Sequence, residues 1–341
     1  MTRRGKPKSV WCAHAARVAE LLPIARLHPA VLAWAAKRRK AEPWSVAFSG
    51  GADSLLLLLV LWAHWPERRG RLVALHFNHR LRGRESGADE RFCRRVCAAL
   101  GVRLRVGRWP GRHAGASEAE ARAARHGFFA REMKRRHCRA LWLAHQQDDI
   151  AESMLMRLAR GSGTGGLAAP RPVHGTDGGR VHLRPLLTLK KAELVAALRQ
   201  AGANWREDSS NGRGDFFRNR IRRDVLPAWN NAAGRDALAG AALSRERLEE
   251  DEQALDAWLD GLAPLGRDGR LDLAALGGKP RAIIRRALHR WLLAHRDQTD
   301  LSRQGFEILL AAVERGRATR FSLGRKGFAV IKQGKLAFRK A

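Results

Sequence analysis

The sequence predicts an α/β protein: a doubly wound parallel sheet followed by a smaller, mainly helical C-terminal domain with a short β tail. Three observations carry that expectation. Between residues 44 and 160, short apolar segments alternate with helix-length amphipathic ones, the pattern of βαβ units whose sheet is covered on both faces. Residues suited to ligand chemistry fall at the carboxyl ends of the strand segments, where open parallel sheets bind their ligands. After Pro227 the alternation stops, and long amphipathic segments give way to β-like runs punctuated by glycine.

Taken in order, residues 10–40 read as helical, with Val18, Leu21, Leu22 and Ile24 apolar and, beyond Pro29, Val31, Leu32 and Trp34. The basic cluster Lys37–Lys40 closes that segment. Ser45–Phe48 reads as a buried strand, Ser49–Asp53 as a tight turn and Ser54–His64 as a helix. The length of the apolar run and its few β-branched residues favour helix over strand. Arg71–His76 is a second strand, and Ala88–Leu100 a helix with Phe92, Val96 and Leu100 on one face. Val102–Val106 is a third strand, and Ser117–Arg135 a helix opened by the Ser117/Glu120 capping box. Arg139–Ala144 is a fourth strand, and Asp148–Arg160 another helix. Ala237–Leu259, Arg281–Ala294 and Arg303–Arg315 are helices, and strand-like runs at Arg320–Leu323, Phe328–Ile331 and Lys335–Phe338 end the chain. The divisions that follow are a basic helical extension (1–40), an α/β domain (41–230) and a C-terminal domain (231–341), with the change of texture at 227–236.

The 341 residues carry 65 Lys and Arg against 33 Asp and Glu, a net charge of +32. An excess of this size resists compaction unless a partner meets it, and polyphosphate is the natural partner. Hydrophobic residues make up 45% of the chain, enough to argue against wholesale disorder. The longest apolar run, Leu55–Ala63, falls far short of the ~20 residues a membrane helix needs. The basic N-terminus lacks an apolar stretch and cleavage site, so secretion is not expected. Four cysteines (Cys12, Cys93, Cys97, Cys138) are too few for a disulfide framework and suit a reduced, cytoplasmic protein.

The sharpest local feature is Ser49-Gly50-Gly51-Ala52-Asp53-Ser54 between strand and helix. Glycines let the backbone approach an anion, and the helix N-terminus offers unpaired N–H groups at its positive end. Ser49 and Ser54 add hydroxyls, and Asp53 can hold a metal against phosphates. The Walker pattern is absent, since no Gly-Lys-Ser/Thr follows. His76-Phe-Asn78-His79-Arg80-Leu81-Arg82 follows the second strand, with no further ligand pair spaced to complete a zinc site. In Asp148-Asp149-Ile150-Ala151-Glu152, the acids at 149 and 152 share one helix face. On position alone they serve as helix caps at least as readily as catalytic groups. Gly161-Ser-Gly163-Thr-Gly-Gly166 matches G-x-G-x-x-G by letter but ends a helix, so it reads as a helix stop and flexible loop. Trp205–Asn211 leads to Phe217-Arg218-Asn219-Arg220-Ile221-Arg222-Arg223, a basic segment beside aromatics that suits phosphate contacts or a solvated helix start.

Together these segments resemble the tRNA(Ile)-lysidine synthetase family of the N-type ATP pyrophosphatase (PP-loop) superfamily. The resemblance spans Trp44 to Pro227 in five ordered motifs: Ser-Gly-Gly-x-Asp-Ser, His-x-Asn-His-x-Leu-Arg, Glu118 with Ala121-Arg122-x-x-Arg125, Asp148-Asp149-x-x-Glu152 running into Arg160-Gly-Ser-Gly, and Glu-Asp-x-Ser-Asn with Arg218-Asn219-x-Ile-Arg222. The tail around Arg281–Trp291 is similar to that family's first C-terminal domain, with no second one following. The resemblance implies ligation of L-lysine to C2 of the wobble cytidine of CAU-anticodon tRNA(Ile), through an adenylated cytidine, with ATP and Mg²⁺ as cofactors and no zinc or iron–sulfur cluster. It implies that Ser49, Gly50, Gly51, Ala52, Asp53 and Ser54 bind the nucleotide, with Asp53 a ligand for Mg²⁺. It assigns chemistry to Asp53, Arg122, Asp149, Glu152 and Arg218. Arg122 and Arg218 would steady the activated base or phosphate. Asp149 and Glu152 would either orient the lysine ammonium or take its proton. His79, Arg82, Arg125, Arg160, Asn219 and Arg222 would contact tRNA. No membrane partner is implied, and a homodimer is left open.

Three departures stand out. Where the family has His-His-x-Asp-Asp-Gln, this chain has Gln146 for the second His and Ile150 for the Gln; His126 stands where Tyr is common. Gln can hydrogen-bond but cannot shuttle a proton near neutral pH. Among rival classes, a tRNA thiolase would need cysteines paired as C-x-x-C, and none here is so spaced. An amidating ligase would not need +32, and a non-catalytic RNA-binding protein would not need an intact Ser-Gly-Gly-Ala-Asp-Ser.

Overall fold

The computed structural model describes residues 9–80, 83–109, 117–207, 217–295, 299, 301–325 and 327–341. Two compact units are present, Met1–Arg247 and Leu248–Ala341. The expected change of texture at 227–236 falls inside the first. Among the described residues, no helix is long and apolar enough to cross a membrane.

The first unit opens with α1 (Val10–Leu21) and α2 (Pro29–Ala36), followed by β1 (Trp44–Ala47) and α3 (Ala52–His64). Every side chain from Leu55 to Leu61 is buried. A helix apolar on all sides has to lie inside its domain, and α3 packs among α1, the sheet and later helices. Each of these residues contributes about 1.5–3 kcal/mol of apolar burial, so the helix that follows the glycine loop is firmly anchored. Next come β2 (Leu72–Asn78), α4 (Arg84–Leu100), β3 (Arg103–Arg108), α5 (Glu118–Arg135), β4 (Ala140–Trp142) and α6 (Gln147–Leu158). Side chains of β2 alternate: Leu72 and Ala74 join α3 and α4 on one face, and Val73 and Leu75 join Phe128, Phe129 and Met133 of α5 on the other. The sheet is therefore covered on both faces, as the sequence predicts.

The strand order is β3-β2-β1-β4-β6-β5, with β6 at Arg180–Leu183 and β5 at Val173–Thr176. Five strands run parallel, and β5 pairs antiparallel with β6 at the edge. The chain winds outward from β1 to β3 and returns to the other side of β1 at β4. The loops after β1 and β4 thus part around a crevice, the topological switch point of such a sheet.

Some elements depart from expectation. Helix α4 starts at Arg84 rather than Ala88, because its first turns bury polar groups: Asn78 Nδ2 donates to Ser86 O (3.1 Å) and Glu90 Oε2 (3.2 Å). The glycine-rich stretch after α6 closes into a helical turn, α7 (Thr164–Leu167), not a flexible loop. The Arg157 guanidinium holds it by donating to Gly166 O. Beyond β6 lie α8 (Lys191–Gln200), α9 (Phe217–Arg220), a π-helical turn (Ile221–Val225), α10 (Leu226–Ala233) and α11 (Ala237–Leu262).

The second unit contains the end of α11, β7 (Leu271–Asp272), α12 (Arg281–Ala294), α13 (Arg303–Arg315), β8 (Thr319–Ser322), β9 (Gly327–Lys332) and β10 (Lys335–Lys340). An antiparallel sheet, β7-β10-β9-β8, shares one core with the helices through Leu259, Ile283, Trp291, Leu310 and Leu336. Arg286 of α12 forks onto Glu252 (2.5 and 2.6 Å) and also reaches Asp256 (3.0 Å). The three helices and the β tail fall where the sequence places them.

Candidate active site

The loop after β1 turns on Gly50, whose φ is +94°, a conformation that favours glycine. A Cβ there would meet Cys93 Sγ at 3.2 Å and Phe92 Cδ1 at 3.3 Å. The loop is braced from within: the Ser49 and Ser54 hydroxyls lie 3.0 Å apart, Ser54 Oγ donates to Gly51 O (3.0 Å) and Ser49 N donates to Ser54 Oγ (3.1 Å). Gly50 O also accepts from Arg206 N at 3.0 Å, and Arg206 Nε donates to Asp89 Oδ1 at 2.8 Å, tying the loop to α4. The first N–H groups of α3 have no acceptor within the helix and face an incoming anion. Asp53, in that first turn, pairs with Lys191 Nζ at 2.5 Å. Lys191 N donates to Asp148 Oδ2 at 3.0 Å, so Lys191 bridges the starts of α3 and α6.

Opposite, after β4, Gln146 caps α6. Its Oε1 accepts from Asp148 N (2.6 Å), and its own N–H donates to Asp149 Oδ2 (2.9 Å). That reciprocal cap turns Asp149 and Glu152 to one face. The other oxygen of Asp149, Oδ1, accepts from Arg218 Nη2. Glu152 has no exposed surface; it accepts from Arg218 Nε (2.6 Å), Arg222 Nε (2.6 Å) and Arg222 Nη2 (3.0 Å). Burial pushes the Asp149 carboxyl up to about 6, with Arg218 pulling the other way and the Glu152 charge adding to the rise. Asp149 thus caps α6 through one oxygen and pairs with Arg218 through the other.

A third wall is basic. His145 is half-buried, and its Nδ1 accepts from Arg184 Nε at 3.2 Å. Burial, together with the Arg184, Arg218, Arg122 and Arg125 guanidiniums, holds its imidazole neutral. Arg184 is itself lowered to about 10 by burial and by Arg122. Arg157 is lowered for the same reason, with Arg160, Arg171 and Arg122 adding repulsion. Guanidiniums crowded in this way form a strong field for an anion. Burial and Arg122 lower His126, on α5, to about 4.

The structure thus brings together the Ser49–Ser54 loop, Asp149, Glu152, Arg218 and Arg222. Arg122 and Arg125, on α5, act electrostatically on His145 beyond the end of β4. Arg222, expected on tRNA, is an ion-pair partner of Glu152. Asn219 lies one residue beyond Arg218 on α9, and Arg160 sits past the end of α6 beside Arg157. His79 packs edge-on against Phe77 (4.8 Å) and Trp109 (6.1 Å). Arg82 and the Asp208–Asn211 part of the last motif lie outside the described residues, and of Glu118 only the backbone is described. Sequence reading missed Arg184 and Lys191, and it did not tie Arg206, inside the Trp205–Asn211 segment, to the glycine loop. Arg184 follows β6, a strand too short and polar to signal itself, whereas Lys191 meets Asp53 across 138 residues and no local pattern announces it. Among the described residues, no three His, Cys, Asp or Glu side chains gather as a metal cluster. Burial pushes the Cys97 thiol up to about 12 and raises Cys93 as well, so neither is a ready nucleophile.

A glycine turn between strand and helix at the switch point of a doubly wound sheet is the arrangement of a nucleotide-binding α/β class, and the PP-loop domain family matches residues 27–229. The chain belongs to that family and, within it, to the tRNA(Ile)-lysidine synthases. The protein of that name from Polaromonas naphthalenivorans (strain CJ2) is 32% identical over 280 residues, covering 80% of this chain and 83% of that protein. The one from Rhodopirellula baltica is 36% identical over 247 residues, or 65% of this chain, and the chain spans 62% of its length. In solved structures, the fold is similar to the U34-tRNA thiolase NcsA from Methanococcus maripaludis, with a TM-score of 0.52 at 16% identity over 70% of this chain and 78% of that one.

Proposed function

We propose that the protein joins L-lysine to C2 of the wobble cytidine in CAU-anticodon tRNA(Ile), in two steps. The cytidine O2 first attacks the α-phosphorus of ATP and pyrophosphate leaves. The lysine ε-amine then attacks C2, AMP departs, and the proton lost by the amine goes to a base or to solvent. One observation supports the reading: the Ser49–Ser54 turn after β1 and the acids Asp149 and Glu152 after β4 stand at the switch point of the sheet, the turn suited to a triphosphate and Asp149, the less enclosed of the two acids, to an alkylammonium.

The roles follow from charge. Ser49, Gly50, Gly51, Ala52 and Ser54 would cradle the leaving pyrophosphate with N–H and hydroxyl donors where negative charge builds. Asp53 is the residue to hold Mg²⁺ together with ATP phosphates, the usual mode of one or two carboxylates plus substrate oxygens; there the ion would neutralise charge on the leaving group. Arg122, with Arg184 behind it, would steady the adenylate. Asp149 and Glu152 would receive the lysine ammonium, and the raised affinity of Asp149 for a proton makes it the better acceptor when the amine must become neutral. The cytidine reaches this crevice only if it leaves its stack, as anticodon-loop bases can. The reading places the protein in the cytoplasm with its RNA.

The test is incubation with ATP, lysine and CAU-anticodon tRNA, followed by nucleoside mass analysis. A lysine-bearing cytidine is expected, with AMP and pyrophosphate in equal amounts. Pyrophosphate release without that nucleoside, or no release at all, overturns the reading.

A further inference from the structure

Away from the crevice, β3 is the parallel strand at the edge of the sheet, unpaired on its outer side among the described residues, and it is arginine-rich. Arg103 and Arg105 alternate outward along it at about 6.8 Å per two residues. Helices α4 and α5 cover opposite faces of the sheet, so a groove of about 610 Å³ straddles this edge. Arg94, Arg103, Arg105, Arg135 and Arg136 line it, with Glu132 as the one carboxylate among those lining groups.

The charges there do not balance. Arg94 is already taken by Glu90 at 2.8 Å. Glu132 serves both Arg135 (3.5 Å) and Arg136 (3.7 Å), neither at close range. Arg103 and Arg105 have no carboxylate within 4.0 Å among the described residues. Arg136 is mostly buried, and its Nε lacks a hydrogen-bond partner among the described residues. Four guanidiniums, Arg103, Arg105, Arg135 and Arg136, therefore line one groove against a single shared acid, an arrangement that costs free energy until an anion enters. Protection of an edge strand against strand addition explains charge on β3. It does not explain why α5 aims a part-buried arginine at the same spot.

We propose that this groove binds the phosphate backbone of RNA, as a contact separate from the crevice that would receive the anticodon base. Planar guanidiniums fork onto phosphate oxygens, and their spacing along β3 is of the order of that between successive phosphates of one strand. The contact carries no sequence information; it adds affinity and register to whatever RNA the crevice selects. That the RNA is a tRNA rests on the proposed function, whereas the groove itself needs only a polyphosphate chain.

The experiment measures binding of CAU-anticodon tRNA and of an unrelated tRNA across a salt series, for the full chain and for the Arg103→Gln/Arg105→Gln variant. Both side chains are exposed, so the variant is expected to fold, and Arg103→Lys/Arg105→Lys keeps the charge on the same edge as a control. The expected result is about tenfold weaker binding of both RNAs in the Gln variant, and a log–log salt slope shallower by about 2, one unit per lost phosphate contact. The Lys variant should regain most of the affinity. Unchanged affinity and slope in the Gln variant overturn the proposal, as does failure of the unmodified chain to bind either RNA. So does a variant that loses binding to poly-glutamate while keeping both tRNAs, which would assign the groove to acidic protein. Product analysis for lysine-bearing cytidine is read separately, so the groove can stand if the proposed reaction falls, and the reverse.

Discussion

Replacing Glu152 with Gln keeps the shape of the side chain and removes one buried charge. In the native site both carboxylate oxygens are occupied, by Arg218 Nε and by Arg222 Nε and Nη2. An amide can satisfy one side of that arrangement, but its NH₂ then faces guanidinium donors with nothing to accept. Breaking a buried ion pair by removing one partner costs about 3–5 kcal/mol. Here the acid is fully buried, while Arg218 and Arg222 keep 29% and 46% of their side-chain surface. Water therefore recovers part of their hydration, which reduces the cost to about 2–3 kcal/mol. Because the chain has two units, a single unfolding midpoint is a poor readout, and native-state hydrogen exchange of the α6 amides is the better one. The expected change is about 30- to 150-fold faster exchange there, at 1.4 kcal/mol per factor of ten. The double variant Glu152→Gln/Arg222→Gln should cost clearly less than the two single changes added together. Exchange altered by less than about threefold, or strict additivity, would refute the idea that this carboxylate organises the arginines.

Further outcomes are expected. Gly50→Ala forces an L side chain to φ +94° against Phe92 and Cys93; a local stability loss of about 1–3 kcal/mol should appear in hydrogen exchange of the α3 amides, and weaker ATP binding in titrations. Asp53→Ala should abolish pyrophosphate release while tRNA affinity, measured by filter binding, stays within about twofold. If Asp149 must be ionised for turnover, the rate rises with pH through about 6, and Arg218→Gln moves that limb upward because a cation that favours the carboxylate is gone; a limb that stays put removes Asp149 from the step. The same shift means that Asp149 supports the fold most at low pH and loses that contribution as pH rises through about 6. Arg286→Gln, which removes the fork onto Glu252 and leaves Asp256 to Arg290, should destabilise the second unit by about 1 kcal/mol in local exchange.

The helices and strands with strong apolar periodicity were legible in the sequence, because burial on a sheet face or a helix stripe writes itself into residue spacing. β1 to β4, α3, α5 and the helices of the second unit fall within a few residues of expectation for that reason. β5 and β6 gave no such signal: four residues each, mixed in polarity, with β6 held by pairing to β4 and β5 by pairing to β6 rather than by their own pattern. The candidate site divides along the same line. The glycine turn and the acid pair are local and readable. The Lys191–Asp53 and Arg184–His145 contacts are not, because they join elements brought together only when the sheet is assembled.

The departure at Gln146 can now be weighed. Its side chain is spent on the N-terminus of α6, where Oε1 takes the Asp148 N–H, and it is buried away from solvent. A histidine in that position could accept the same bond through a ring nitrogen, so the exchange preserves what orients Asp149. The groups left to govern charge in the crevice are then the two acids and the two arginines that hold them. A buried anion pair always needs a cation, and Arg218 and Arg222 fill that need in the present conformation. An incoming alkylammonium would relieve them of it, releasing at least one guanidinium toward whatever negative charge stands nearest, which on the proposed reading is the phosphate of the activated cytidine. Binding of lysine and readiness of the adenylate would thus be one electrostatic event, because the arginines cannot serve the acids and the phosphate at full strength together.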